Sequence, residues 1–208
     1  MIIGICGLIG SGKDTIADYL VAEHDFTRLS FATTLKDAAS LVFDWDRELL
    51  EGRTDLARHW REQVDPWWAE RLNFPKLTPR WVLQYWGTEV LRNHFHDDIW
   101  VASLENKLRK TTRNVVITDC RFPNEVKAIR KHNGLVLRVK RGIDPEWFEV
   151  AERTNRGETN EMKLRSDVHP SEWSWAGTDF DAVLNNDSSK DELYLQVKSL
   201  VLNHLASN

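Results

Sequence analysis

With 208 residues, the chain is long enough for one α/β domain with a sizeable core and would be cramped as two full domains. A formal net charge of −4 gives no general attraction to a nucleic-acid backbone or an anionic membrane, and no apolar run approaches membrane-spanning length, so neither a polynucleotide nor a membrane partner is expected. The two cysteines, Cys6 and Cys120, fall in or just after β-branched apolar runs, where a thiol packs as a small hydrophobe; they make neither a disulfide framework nor a zinc site, which points to the cytosol.

Strand and helix signals then alternate, the pattern of a parallel sheet wrapped by helices. IIGIC at 2–6 reads as a buried strand rather than a signal peptide, because it has no basic flank and glycines interrupt the apolar run. Apolar Ile16, Leu20 and Val21 predict a helix from Gly12 to about His24. A short strand is expected at 28–31 and a helix at 34–43. Residues 44–110 are helical in pattern throughout, with Thr78-Pro79 as a cap followed by proline and Asp97-Asp98 as a second start, and form an insertion. NVVITD, 114–119, predicts the next strand, followed by a helix from Pro123 to Asn133-Gly134 and a strand at 135–141. Residues 142–178 are polar, tryptophan-bearing and aperiodic, and read as a loop or lid of unusual length. FDAVLNN at 180–186 is the last strand, and Ser189 with Glu192 forms a capping box for a C-terminal helix. The expected layout is a core of about 1–43, 111–141 and 179–208, a helical insertion over 44–110 and a lid over 142–178.

The chemistry begins at GLIGSGKDT, residues 7–15. Glycines let successive N–H groups point at one phosphate, the next helix adds its positive end, and Lys13 reaches the terminal phosphates. The usual pattern has a hydroxyl directly after the lysine; here Asp14 stands there and Thr15 follows. A carboxylate beside a triphosphate is repelled unless a cation lies between, which leaves Asp14 an outer-sphere metal contact or a pairing with a basic residue. Asp119 ends an apolar strand, the place from which P-loop proteins position Mg²⁺. The residue after it is Cys120 rather than a water-activating glutamate, which favours transfer to an acceptor over hydrolysis. If that acceptor is itself a phosphate, its oxygen is already anionic, and the protein must chiefly hold and neutralise two polyanions. Lys36, Arg80, Arg92, Arg121, Arg141, Arg153, Arg156 and Arg165 are the candidate cations. Most of the ten tryptophans read as packing residues; Trp86, beside Gly87-Thr88, is the one best placed to stack on a base.

Taken in order, these blocks resemble phage-type deoxynucleoside monophosphate kinases, P-loop kinases related to adenylate and thymidylate kinases, over most of the chain. GSGKDT followed by Ala17-Asp18 is similar to that family's first loop, including the aspartate after the lysine. FATTLKDA (31–38), RWVLQYWGTEVLRNHF (80–95, with a Q-x-x-G-T block) and ITDCRFPNEVKAIR (117–130, D-x-R-x-x-x-E) continue the likeness, and His169-Pro-Ser-Glu172 and Asn186-Asp187 complete it. The resemblance implies a three-layer P-loop kinase fold, parallel sheet flanked by helices, that moves the γ-phosphate of ATP, with Mg²⁺, onto a deoxynucleoside monophosphate. It further implies donor binding by Gly10, Ser11, Gly12, Lys13, Asp14 and Thr15, and metal contacts from Thr15, Asp14 and Asp119. Lys13, Asp119 and Arg121 would act at the transferred phosphate. Phe31, Lys36, Arg80, Gln84, Trp86, Gly87, Thr88, Arg92, Arg121 and Glu125 would hold the acceptor, and Arg141, Arg153, Arg156, Arg165, His169 and Glu172 would belong to the lid. Such an enzyme works in the cytoplasm, the host's if phage-encoded, and a homodimer is left open. Two other readings stay open: a kinase of another small acceptor such as dephospho-coenzyme A, which would need a general base, and a P-loop ATPase or nucleotide-binding regulator.

Overall fold

The computed structural model describes residues 1–206 and divides into two compact units, one made of Met1–Ser30 with the chain from Thr111 onward, the other of Phe31–Lys110. The first unit opens with β1 (Ile2–Cys6), whose Ile3, Ile5 and Cys6 have no exposure at all, as expected of a strand covered on both faces. Helix α1 (Lys13–Glu23) starts directly from the glycine loop, and its N-cap is Gly12 at φ 106, so no side chain caps it and its first N–H groups stay available. Strand β2 (Phe26–Leu29) follows.

The chain then builds the second unit from α2 (Thr33–Phe43), α3 (Arg47–Glu51), α4 (Asp55–Glu62), α5 (Pro66–Arg71), α6 (Pro79–Gln84), a π-helix (Tyr85–Phe95) and α7 (Ile99–Leu108). Each short helix from α3 to α6 has a side-chain cap, from Asp46, Thr54, Asp65 and Thr78 in turn. Helices of five to eight residues are marginal alone. They are held by an aromatic core in which Phe43 stacks on Trp45 at 4.3 Å and also meets Trp68 and Trp86. The indole N–H groups find acceptors: Trp45 donates to Asp65 at 2.8 Å and Trp68 to the Phe43 carbonyl at 3.0 Å.

Back in the first unit come β3 (Asn114–Ile117), α8 (Pro123–Lys131), β4 (Leu135–Lys140), α9 (Trp147–Asn155), α10 (Glu161–Leu164), α11 (Pro170–Trp173), β5 (Ala182–Asn185) and α12 (Lys190–Ala206). All strand pairs are parallel, in the order β2-β3-β1-β4-β5, with Ile3 opposite Val116 on one side and Leu135 on the other. The fold is thus the expected α/β one. The connection from β1 runs to β2 on one side of it and the connection from β3 runs to β4 on the other, so their directions diverge at the carboxyl ends of the central strands, where open α/β sheets form a crevice. Helix α8 lies so close to β1 that a Cβ on Gly4 would stand 2.2 Å from the end of the Ile129 side chain, which would have to move to admit it.

Three expectations need correction. The second strand lies at 26–29 rather than 28–31, and β3 ends at Ile117, leaving Thr118 and Asp119 beyond its hydrogen-bonded ladder. Residues 142–178 are not an aperiodic loop. Helices α9, α10 and α11 and the turn that follows bury Phe148, Ala151, Met162, Trp173 and Trp175, and the Asn155 amide donates to the carbonyls of Trp173 and Ala176. The period is hard to read because each helix is short and α9 buries a threonine, Thr154, on its inner face.

Candidate active site

The glycine loop joins β1 to α1, and two of its residues need glycine outright. Gly10 has φ 77 and open space where a side chain would begin; Gly12, at φ 106, would place a Cβ 2.4 Å from Asn186 Nδ2. That same amide, just past β5, donates to the Ser11 carbonyl at 2.8 Å and pins the loop from behind. Asn186 was legible only as part of a motif order; its contact spans the whole chain. The Ser11 hydroxyl is buried without a hydrogen-bond partner. An uncapped helix start, an open glycine and an orphaned hydroxyl in one loop suit an anion that brings its own acceptors.

Lys13 folds back over the loop, donating to the carbonyls of Gly7 and Leu8 at 2.8 Å each. Burial, and after it the Arg121 charge, draw its pKa down to about 8, against the opposing pull of Glu172, Cys6 and Asp119. Asp119 accepts a 2.6 Å hydrogen bond from the Ser30 hydroxyl. Behind it the buried Cys120 thiol is pushed up by its hydrogen bond with Cys6 and by burial, so it is protonated and no base occupies that position.

Arg121 Nη1 donates to Glu172 at 2.6 Å and to the Ser171 carbonyl at 3.2 Å. Burial alone would lower its pKa, but Glu172, with Asp119 and Glu125 beyond it, raises it. Glu125 is only 3% exposed and accepts from the backbone N–H of Arg121 at 2.7 Å and of Phe122 at 3.0 Å. It therefore caps α8 and fixes the Arg121 backbone. His169 likewise caps α11, accepting from the Ser171 N–H at 3.2 Å.

Asp14 pairs with Arg28 of β2, one of its two expected roles. Thr15 is half-buried in the first turn of α1. Among the described residues, no group of three or more His, Cys, Asp or Glu is arranged to hold a metal ion. Mg²⁺, however, ordinarily uses only one or two carboxylates beside substrate phosphates, and Asp119 offers one.

Of the expected lid cations, Arg141 is the one brought to the loop. It lines a cavity of about 310 Å³ with Leu8, Ile9, Gly10, Ser11 and residues from Arg138 to Asp144. Arg153 and Arg156 both pair with Glu158, and Arg165 with Asp167, each an exposed local pair. A larger groove of about 490 Å³, between β5 and α12, shares no residue with the loop.

In the second unit, Lys36 bonds Glu51 at 2.7 Å, and Arg47 links the same carboxylate to Asp37. Arg80 pairs with Glu62 at 2.8 Å. Phe31 and Arg92 are buried, at 3% and 4% exposure, and Arg92 donates to the backbone carbonyl of Asp97 at 2.9 Å. Both belong to the expected acceptor set, and both are packed inside the second unit. Gln84 and Thr88 are half-buried, and Trp86 packs on Phe43. Gly87, in the π-helix, comes so close to Leu35 that a Cβ would stand 2.9 Å from it, while its carbonyl accepts from the Trp100 indole at 2.8 Å. Long π-helices are rare, and π segments are frequent at functional sites.

Burial opposes ionisation of Glu51, yet Lys36 and then Arg47 bring its pKa from 4.5 to about 2. A depressed carboxylate pKa stabilises the fold above the unfolded-state value and loses that contribution as pH falls through the folded one. Glu51→Gln should therefore cost about 1–2 kcal/mol at pH 7, after allowance for solvent screening. In chemical denaturation the gap to wild type should narrow below pH 4.5. An identical gap at pH 7 and pH 3 would show that the charge is not the cause.

The profile of a family described as Deoxynucleotide monophosphate kinase matches residues 69–197. A protein of Acanthamoeba polyphaga mimivirus, provisionally assigned as a deoxynucleotide monophosphate kinase, is 30% identical over 219 residues, covering 98% of this chain and 97% of its own. The deoxynucleoside-5′-monophosphate kinase of Escherichia phage T5 is 28% identical over 184 residues, 65% of this chain and 74% of that one. Among solved structures, dephospho-CoA kinase from Campylobacter jejuni aligns over 97% of this chain and 96% of its own at 15% identity, with a TM-score of 0.46.

Proposed function

The chain belongs to the deoxynucleotide monophosphate kinase family, and from that premise we propose that it transfers the γ-phosphoryl group of ATP to a deoxynucleoside 5′-monophosphate, with Mg²⁺. The observation that carries the reading is the gathering of Lys13, Asp119, Arg121 and Glu172 at the loop end of the first unit.

Each group has a task that suits its chemistry. The loop N–H groups and the Ser11 hydroxyl receive the donor phosphates. Lys13 exchanges its two bonds to neutral carbonyls for charge-assisted ones to phosphate, which are about twice as strong. Asp119 and Thr15 would hold Mg²⁺, which when bound offsets the charge on the β- and γ-phosphates. Arg121 is anchored on one side by Glu172 and keeps N–H groups for a phosphate on the other. The acceptor's attacking oxygen is already anionic, so no general base is needed, which accords with a protonated Cys120 beside Asp119. A hydroxyl acceptor, as in a dephospho-coenzyme A kinase, would need one.

In the second unit, Lys36, Arg80, Gln84, Trp86 and Thr88 are the proposed acceptor contacts, and Arg141 the proposed lid cation. The proposed setting is the cytoplasm, the host's if the chain is phage-encoded; no helix among the described residues is long and apolar enough to cross a membrane.

The test is ADP production from Mg·ATP with each of the eight ribo- and deoxyribonucleoside monophosphates. At least one deoxynucleotide should raise the rate well above that without acceptor. A steady rate indifferent to all eight would overturn the reading.

A further inference from the structure

Arg28 appears in none of the chain's motifs, yet it is the residue that pairs with the aspartate after the loop lysine. Its guanidinium, only 17% exposed, pairs through Nη2 with Asp14 and through Nη1 with Asp18 at 3.2 Å. Nη2 also donates to the Thr118 hydroxyl at 2.9 Å. Asp14 and Asp18 stand four residues apart on α1, hence on one face, and would otherwise present two like charges at the helix start where the triphosphate is to sit. Thr118 immediately precedes Asp119, so one side chain ties the loop helix, β2 and the metal-side strand end together.

We propose that Arg28 is a positioning residue for the donor nucleotide: it supplies the counter-charge that lets an aspartate occupy the place after the loop lysine, and it turns that carboxylate away from the phosphates. The proposal rests on the donor-site reading given above. Lysine could restore the charge but not the three-acceptor geometry, since only the planar guanidinium forks toward several oxygens at once.

A binding cycle tests this without relying on turnover. ATP affinity is measured by calorimetry for wild type, Arg28→Ala, Asp14→Asn and the double variant, with thermal melting as the check on folding. Arg28→Ala should weaken ATP binding about tenfold or more in the wild-type background. Whatever Asp14→Asn does alone, the same Arg28 change should then matter about threefold or less, because the charge it offsets is gone. In an Asp18→Asn background the larger loss should persist, and Arg28→Lys, which keeps the charge without the fork, should recover only part of the affinity. An equal loss with and without the Asp14 carboxylate, or no loss at all, overturns the proposal. If Arg28→Ala does not fold, Arg28→Lys in the two Asp14 backgrounds decides: equal affinities relative to their parents refute a charge role with a specific geometry. Lys13→Ala separates the two levels. Unchanged ATP binding in that variant removes the donor-site reading itself, whereas lost binding with an uncoupled cycle removes only the role of Arg28.

Discussion

Lys13→Ala should lower turnover by about two to three orders of magnitude, the scale on which a single preorganised charge stabilises a developing transition state. The folded protein should survive the change. The ammonium's visible bonds are two backbone carbonyls of its own loop, and burial has already drawn its pKa down to about 8, so in the nucleotide-free protein the charge is a burden on stability. The ligand-free variant should accordingly melt no lower than wild type, while losing most of the stabilisation that ATP confers. Near-normal turnover would remove Lys13 from the phosphates; a collapsed melting temperature would make it a structural residue.

Arg121→Lys is the second large effect. The guanidinium already holds Glu172 and the Ser171 carbonyl through one nitrogen, and its remaining N–H groups form a planar fork suited to two phosphate oxygens. Lysine keeps the charge but offers a point, so it can satisfy Glu172 or a phosphate and not both in the same geometry. The Michaelis constant for the deoxynucleotide should rise, or turnover fall, by about tenfold or more, a loss of ~1.4 kcal/mol or greater, with ATP affinity nearly unchanged. Wild-type kinetics in Arg121→Lys together with a harmless Arg121→Ala would make Arg121 an ordinary partner of Glu172.

How far the sequence reveals this arrangement depends on how local each signal is. The loop, its strand and its helix are neighbours in sequence, and Asp119 ends a recognisable apolar run, so the donor end is legible from spacing alone. The pinning of Ser11 by Asn186 and of Asp14 by Arg28 is not, because both contacts form only once the sheet order is set. Glu125 and His169 stand in the motifs as expected ligand groups, and their capping of backbone N–H groups is a second role that the motifs do not announce. Nor does anything in the neighbours of Arg92 announce that its guanidinium donates to the Asp97 carbonyl. The tryptophan-rich segment at 45–68 lacks an apolar stripe long enough to read, and its order comes from ring packing between short capped helices. Their caps, Asp46, Thr54 and Asp65, are of the residue types that favour helix starts.

That the phosphoryl group goes to another phosphate is checked by supplying ATP labelled on its γ-phosphate, with Mg²⁺ and whichever deoxynucleoside monophosphate gives the highest rate, and identifying the labelled product. Label should appear in the β-phosphate of the deoxynucleoside diphosphate, in step with ADP formation. Label recovered as inorganic phosphate, at a rate the monophosphate does not change, would contradict it.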